Sequence, residues 1–377
     1  MEMAVSNRKT PYYLIHKTQF EKNCMEVEKN FHEAWGGKFL CGYSIKTNHQ
    51  REMVRLAKER GWLAEVVSDD EYNYAKSLGF GDHEMICNGP VKGKMMEKVL
   101  QEKQYLNLDH LQEVDRLCML CQKSVCNLDD LKIGLRINFD LERLCPGETT
   151  AGKRVSRFGI NYENGDLKKA ILMLQRHKIP IAGLHMHTST KSRSIAVFRA
   201  LSQMACKVAE EYGLDLDFVD IGGGFFGGQR LPGKPTMSEY AHVITHELKK
   251  TFDAGKVTLI AEPGASVIAT AIDYVTGVDN IRDVRGERIV TLDGTMLHIN
   301  PFMAERKPVY TVENAGGEQV EVQHICGCTC MENDRFDTLY SEKELRLDSK
   351  IVFHHAGAYT MSFNSHFIIE PPEVYIL

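Results

Sequence analysis

The stretch Phe39-Leu40-Cys41-Gly42-Tyr43-Ser44-Ile45-Lys46-Thr47-Asn48 runs straight into a segment of helical period, and that segment into Leu63-Ala64-Glu65-Val66-Val67. Residues 39–45 and 63–67 are apolar runs of the length a buried strand needs. Between them, within 49–60, Met53, Leu56 and Ala57 recur on one helical face. Strand, helix, strand is the unit of a parallel sheet, because the chain must cross back before the next parallel strand begins. A second helix is predicted over 69–78, where its acidic start suits the positive end of the helix dipole.

The alternation continues outward from there. Strands are predicted at 85–88, 105–108, 133–138, 179–185, 218–221 and 258–261, and helices at 95–101, 111–121, 167–176, 195–212 and 238–251. Roughly eight strands alternating with helices predict an α/β chain closed as a (β/α)8 TIM barrel, with an open doubly wound sheet as the competing architecture. After about residue 269 the rhythm changes. The runs 272–276, 288–292, 308–311, 319–324, 351–354 and 374–377 are β-like with little helix between them, and 11–16 is strand-like too. The expected organisation is an N-terminal segment, 1–30, packing partly with the β domain, then a barrel, 31–268, and a C-terminal mainly β domain, 269–377.

Composition narrows the partners. The chain has 377 residues, 43% hydrophobic and 26% charged, which suits a large globular core. A net charge of −5 leaves no basic footprint for nucleic acid. No apolar run approaches the roughly 18 residues of a membrane helix, and residues 1–10 lack the apolar stretch of a secretory leader. Eleven irregularly spaced cysteines point to reduced thiols and a cytoplasmic location.

Several residues carry chemistry, each with two readings. Lys46 closes a strand at the end where barrels build their sites; it is either an amine able to attack an aldehyde or a surface lysine. Gly222, Gly223 and Gly224 follow a strand and form either a phosphate-cradling loop or a plain turn. The dinucleotide pattern G-x-G-x-x-G over 222–227 is a weak fit, since no helix opens at once and Pro232 and Pro235 follow. His185 and His187, two apart on a strand, share a face and suit either a metal or an aromatic cofactor. Glu262, before Pro263-Gly264, is either a turn residue or a carboxylate for a protonated ring nitrogen. Cys326-Gly327-Cys328-Thr329-Cys330 lacks the spacing of zinc pairs, so a reactive thiol fits it better than a metal.

Taken in order, these motifs resemble the alanine-racemase-fold (fold-type III) amino acid decarboxylases, the family of the diaminopimelate, ornithine and carboxynorspermidine enzymes. The resemblance runs from Thr10-Pro11-Tyr12-Tyr13 to Pro371-Pro372-Glu373-Val374. It implies pyridoxal 5′-phosphate as cofactor, held as a Schiff base on Lys46, with Glu65 beside that lysine. Leu135-Arg136-Ile137 and Ser156-Arg157-Phe158-Gly159 match further family blocks, Arg136 falling on the cofactor side. His187 is expected to stack on the ring, Thr190 and Tyr359 to approach the phosphate, Gly222–Gly224 to cradle it and Glu262 to keep the ring nitrogen protonated. Cys330, Met331, Asp334 and Tyr359 are expected at the substrate, with Cys330 as a catalytic thiol and Asp334 as an acid, both contributed across a homodimer interface.

Two departures touch substrate choice. Ala265 stands where these enzymes usually carry Arg after Glu-Pro-Gly, and Met331 where an acidic residue commonly follows the cysteine. The expected reaction is removal of the α-carboxylate of an amino acid to give an amine. The substrate is expected to be diaminopimelate- or ornithine-like or an atypical biosynthetic precursor, free or tethered to a carrier, with residues 295–306 near its far end. The rival readings are a racemase on the same fold, a metal-dependent barrel hydrolase built on His185 and His187, and a non-catalytic regulator derived from a decarboxylase, which would be expected to lose Lys46 or Cys330.

Overall fold

Eight parallel strands close on themselves: β1 (Phe39–Ser44), β2 (Leu63–Val66), β3 (Met85–Cys87), β4 (Tyr105–Leu108), β5 (Lys132–Asn138), β6 (Gly183–His185), β7 (Phe218–Asp220) and β8 (Thr258–Ala261). Each pairs with the next, and β8 pairs with β1. The structure is a computed structural model and describes residues 8–123, 130–148, 155–363 and 366–377. Within these, the chain forms two compact units, 24–266 and a second made of the N-terminal residues through Asn23 together with 267–377.

Unit 24–266 is the predicted TIM barrel. Helices follow each of the first seven strands, among them Arg51–Glu59, Asp69–Ser77, Ile195–Tyr212 and Met237–Leu248. Their starts are written in the sequence. Ser68 and Ser194 cap with their hydroxyls, and Thr236 and Glu239 form a reciprocal capping box. Predicted and observed strand bounds differ mostly by one residue. The exception is 179–185, of which only Gly183–His185 is strand, because Pro180 cannot donate to a ladder.

The barrel interior is layered. Leu63, Ile86, Tyr105, Ala182, Phe218 and Ile260 form an apolar cluster at its floor. Gly134 and Gly183 leave room for the Phe218 ring, since a Cβ on either would strike it. Tyr105 meets Phe218 edge-on at 5.1 Å.

In the other unit the long strand Ile272–Val284 pairs with Glu287–Leu292, with Lys350–Phe353 and, antiparallel, with Tyr12–Ile15. Gln319–Cys326 and Arg335–Lys343 extend the sheet beyond Glu287–Leu292, Tyr310–Glu313 extends it beyond Lys350–Phe353, and Glu373–Ile376 lies beyond Tyr12–Ile15. The strand Arg335–Lys343 and the helix Lys17–Trp35 stand outside the sequence-based expectations. No helix among the described residues is long and apolar enough to cross a membrane.

Candidate active site

Two residues beyond the floor, each barrel strand brings a second inward position to the C-terminal mouth: Ser44, Glu65, Asn88, Asn107, Arg136, His185, Asp220 and Glu262. Period two in a strand makes this unavoidable, because residues i and i+2 share a face. All eight are buried. Buried polar groups are costly unless hydrogen-bonded, and here all but His185 have hydrogen-bond partners, most of them within the layer itself.

Glu65 is the hub on one side. Its Oε2 accepts from Ser44 Oγ at 2.7 Å and pairs with Lys46 Nζ, and its Oε1 accepts from Asn88 Nδ2 at 3.2 Å. Asn88 also donates to Glu262 Oε1 at 2.5 Å, and Asn107 donates to Asn88 Oδ1 at 2.9 Å and to Asp220 Oδ2 at 3.4 Å. The amide bridge thus joins the carboxylate beside Lys46 to the carboxylate at the end of β8. Arg136 donates to Asp109 Oδ1 at 3.2 Å and to the His187 carbonyl at 3.3 Å.

Charge is sorted by neighbours. Burial pushes the Asp220 carboxyl well up, and the adjacent Glu262 pushes it further. Burial acts the same way on Glu262, but the facing His185, with Lys46 and His187 behind it, outweighs burial and holds this carboxyl below its ordinary value. Of the two acids, Glu262 is therefore the one held as the carboxylate and Asp220 the one driven toward its protonated form. Burial pushes both imidazoles down, His187 to about 3 with Arg136 adding to the effect, so both are neutral near pH 7.

The glycine loop is shaped from within. Gly222 N–H donates to Asp220 Oδ1 at 2.8 Å, and Gly223 N–H to His187 Nδ1 at 3.0 Å. The second bond leaves the proton of the neutral ring on Nε2. Gly222 has φ +67°, and a Cβ there would lie 2.5 Å from His187 Nδ1. Only glycine lets the loop pass this close beneath the imidazole.

The sequence-predicted residues Lys46, Glu65, Arg136, His187, Gly222, Gly223, Gly224 and Glu262 all belong to this one barrel mouth. Thr190 sits on the loop after β6, where its Oγ1 accepts the Arg193 N–H at 3.1 Å. Cys330, Met331, Asp334 and Tyr359 belong to the other unit. There Cys330 is exposed. Asp334 is buried, bonded through Oδ1 to Met296 N–H and through Oδ2 to the Thr329 N–H and hydroxyl. Tyr359 has φ +56°, a conformation uncommon outside glycine. His298, in the predicted substrate-end segment 295–306, bonds Tyr274 OH at 2.7 Å, and burial pushes it down to about 4.

Sequence reasoning missed Asn88, Asn107, Asp109 and Asp220. The available signal was a polar residue closing an apolar run, as in Met85-Ile86-Cys87-Asn88 and Leu106-Asn107-Leu108-Asp109. His185, His187 and Glu262 bring ligand atoms within 4.8 Å of one another, as metal ligands do. The Gly223 bond, however, keeps the lone pair of His187 occupied at Nδ1 and a proton on Nε2.

A TIM barrel with a lysine, an anionic glutamate and a glycine loop at its mouth suits an aldehyde cofactor, and comparison with known proteins gives the family. Residues 17–269 match the family described as "Pyridoxal-dependent decarboxylase, pyridoxal binding domain". The chain is 26% identical over 384 residues to a probable chloroplastic diaminopimelate decarboxylase of Oryza sativa subsp. japonica, covering 98% of this chain and 75% of that protein. It is 24% identical to the diaminopimelate decarboxylase of Methanocaldococcus jannaschii, covering 95% and 84%. In fold it resembles the crystal structure of Helicobacter pylori diaminopimelate decarboxylase complexed with L-lysine, with a TM-score of 0.84 at 24% identity over all of this chain and 93% of that one. A lysine/ornithine decarboxylase from Vibrio vulnificus, complexed with cadaverine, gives 0.78 at 18%.

The chain belongs to the fold-type III pyridoxal-dependent amino acid decarboxylases, and its enzyme class is that of the carboxy-lyases. Its own donor set fits the cofactor: an amine already beside a carboxylate, a second carboxylate held anionic, and a neutral imidazole braced from behind.

Proposed function

We propose that the barrel mouth holds pyridoxal 5′-phosphate through Lys46 and that the enzyme releases the α-carboxylate of an amino acid as CO2. The observation that carries this is the pairing of Lys46 with Glu65 in the same hydrogen-bonded chain that ends at anionic Glu262. When bound, the cofactor supplies an electron sink for the charge left at Cα once CO2 departs. Everything else falls to the protein.

Lys46 Nζ is the tether, and Glu65 steers it and takes up its charge. Glu262 keeps a proton on the pyridine nitrogen by ion pairing, so that the sink stays strong. His187, oriented by the Gly223 N–H and by Arg136 gripping its carbonyl, would face the ring. The amides of Gly222 and Gly223 are spent on Asp220 and His187, so Gly224 and Thr190 would hold the phosphate, with Tyr359 proposed as a further contact. Cys330 of a second copy returns a proton to Cα. Asp334 reaches the substrate indirectly, by bracing the turn before Cys330 through Thr329.

The substrate reading follows the relatives named as diaminopimelate and lysine/ornithine decarboxylases, modified at Ala265 and Met331. Without a cation at the first and an acid at the second, we infer an amino acid whose distal group differs from theirs, whether free or carried on a partner. A homodimer and a cytoplasmic setting complete the proposal, and the ten cysteines among the described residues are free thiols, as a reducing compartment requires.

The test is borohydride reduction of the holoenzyme followed by peptide mapping. The expected label is on Lys46, and a label elsewhere overturns the assignment. Screening amino acids of both hands for CO2 release then names the substrate.

A further inference from the structure

His185 takes no part in the proposal above, yet it occupies the centre of the polar layer. It is 1% exposed, and neither ring nitrogen has a hydrogen-bond partner. Its Nε2 lies 3.7 Å from Glu262 Oε2 and 4.0 Å from Asp220 Oδ2, and its ring stacks on His187 at 6.1 Å and 23°.

The two carboxylates are not equivalent to it. Asp220 spends Oδ1 on Gly222 N–H and takes the Asn107 amide at Oδ2. Glu262 has Oε1 fixed by Asn88 and Oε2 turned to His185, with the Asp220 carboxyl beside it. Arg136 and Glu65 also bear on this imidazole, and each has its own partner, Asp109 and Lys46. A neutral imidazole carrying its proton on Nε2 would meet one anionic oxygen at 3.7 Å.

We propose that His185 is the positioning residue for Glu262, its Nε2–H and the Asn88 amide gripping the two carboxylate oxygens so that the group is held in one orientation toward the cofactor nitrogen. This rests on the reading that Glu262 meets a protonated pyridine. The gap of 3.7 Å closes by less than 1 Å to a hydrogen bond of about 2.9 Å, a shift within reach of one side chain when the facing ion arrives. His187 and His185 then divide the work: the outer ring lies on the cofactor, the inner one orients its counter-ion.

The test compares His185→Leu, which keeps much of the volume but removes the donor, with His185→Gln, which restores one. For His185→Leu the expected results are an altered visible absorbance of protein-bound pyridoxal phosphate, about tenfold weaker binding when apoenzyme is titrated with it, and kcat lowered about tenfold or more while KM changes less than about twofold. His185→Gln is expected to recover most of each. If His185→Leu fails to fold, His185→Met, flexible enough to refill the space, takes its place. Nitrogen-15 spectra of wild-type holoenzyme give an independent reading. A proton on Nε2 of His185 is expected, and a neutral ring protonated at Nδ1 overturns the proposal. An apolar variant with wild-type absorbance, affinity and kcat also overturns it. Borohydride labelling separates the two levels: with Lys46 labelled, such a result sinks the role of His185 alone, whereas an unlabelled Lys46 sinks the site reading beneath it.

Discussion

The barrel interior offers two layers made by the same eight strands, two residues apart. In the floor, Leu63, Ile86, Tyr105, Phe218 and Ile260 pack with Gly42, Gly134 and Gly183. In the layer above, the same strands present Glu65, Asn88, Asn107, Asp220, Glu262, Ser44, Arg136 and His185. Backbone geometry and burial are alike, so the difference lies in the side chains alone. The floor gains from being dry and close-packed. The upper layer gives up that gain and, on the proposed reading, holds charge in place for chemistry. Stability and function are thus separable along a single strand, and substitutions two residues apart are expected to report on different properties.

Lys46→Ala should have the largest effect. It stands just beyond the upper layer, partly exposed, with its amine against Glu65. Activity is expected to fall at least about a thousandfold, and the yellow colour of the bound cofactor to disappear. The urea midpoint of the apoprotein should fall less than in Phe218→Ala, because Glu65 loses its cation but keeps its bonds from Ser44 and Asn88. A variant that kept its colour would break the comparison, because the upper layer would then not be the cofactor site.

Phe218→Ala tests the floor. The ring is fully buried, between glycines whose absent side chains make its space. Its removal should cost about 3–5 kcal/mol by urea denaturation, while each molecule still folded keeps most of its turnover. Glu262→Gln, on a neighbouring strand in the upper layer, should do the reverse. Its kcat is expected to fall about a hundredfold as the ring nitrogen loses its ion pair. Stability should hold or rise, because a buried anion beside Asp220 is replaced by a neutral amide. If Glu262→Gln destabilised as much as Phe218→Ala, the upper layer would be structural after all.

The layered barrel was largely legible because period-two strands and period-3.6 helices alternate with so little interruption. The misses have physical causes. Arg335–Lys343, with the sequence Arg-Phe-Asp-Thr-Leu-Tyr-Ser-Glu-Lys, forms the end of its sheet and leaves much of itself to solvent, so it lacks the apolar signal of a buried strand. The helix Lys17–Trp35 does carry a signal, Phe20, Cys24, Val27, Phe31 and Trp35 at helical spacing and all buried, but it precedes the barrel rhythm that guided the reading. In the site, residues with chemistry legible one at a time were found: a lysine after a strand, a glutamate before Pro-Gly, a glycine run. Asn88, Asn107 and Asp220 were not, since an amide or acid at a strand end acquires meaning only when closure of the barrel brings eight such ends together.

The smallest expected effect is also the one that separates the layers by pH. Burial holds His187 down to about 3 and pushes His185 down too, against an ordinary histidine value of about 6.5. Between those values the unfolded chain binds protons that the folded barrel refuses. Stability therefore rises with pH: this contribution is complete above about 6.5 and is lost as pH falls toward 3. His187→Asn removes one such group, so the apoprotein's stability between pH 6.5 and 4 should lose up to about one proton's worth of slope relative to wild type. Phe218→Ala should shift the same curve down without changing its slope, because the floor holds no group that titrates there. Urea midpoints measured at pH 7.5, 6 and 5 distinguish the outcomes. Parallel curves for wild type and His187→Asn would mean that this imidazole takes up its proton as readily folded as unfolded, and that the mouth of the barrel is wetter than its packing implies.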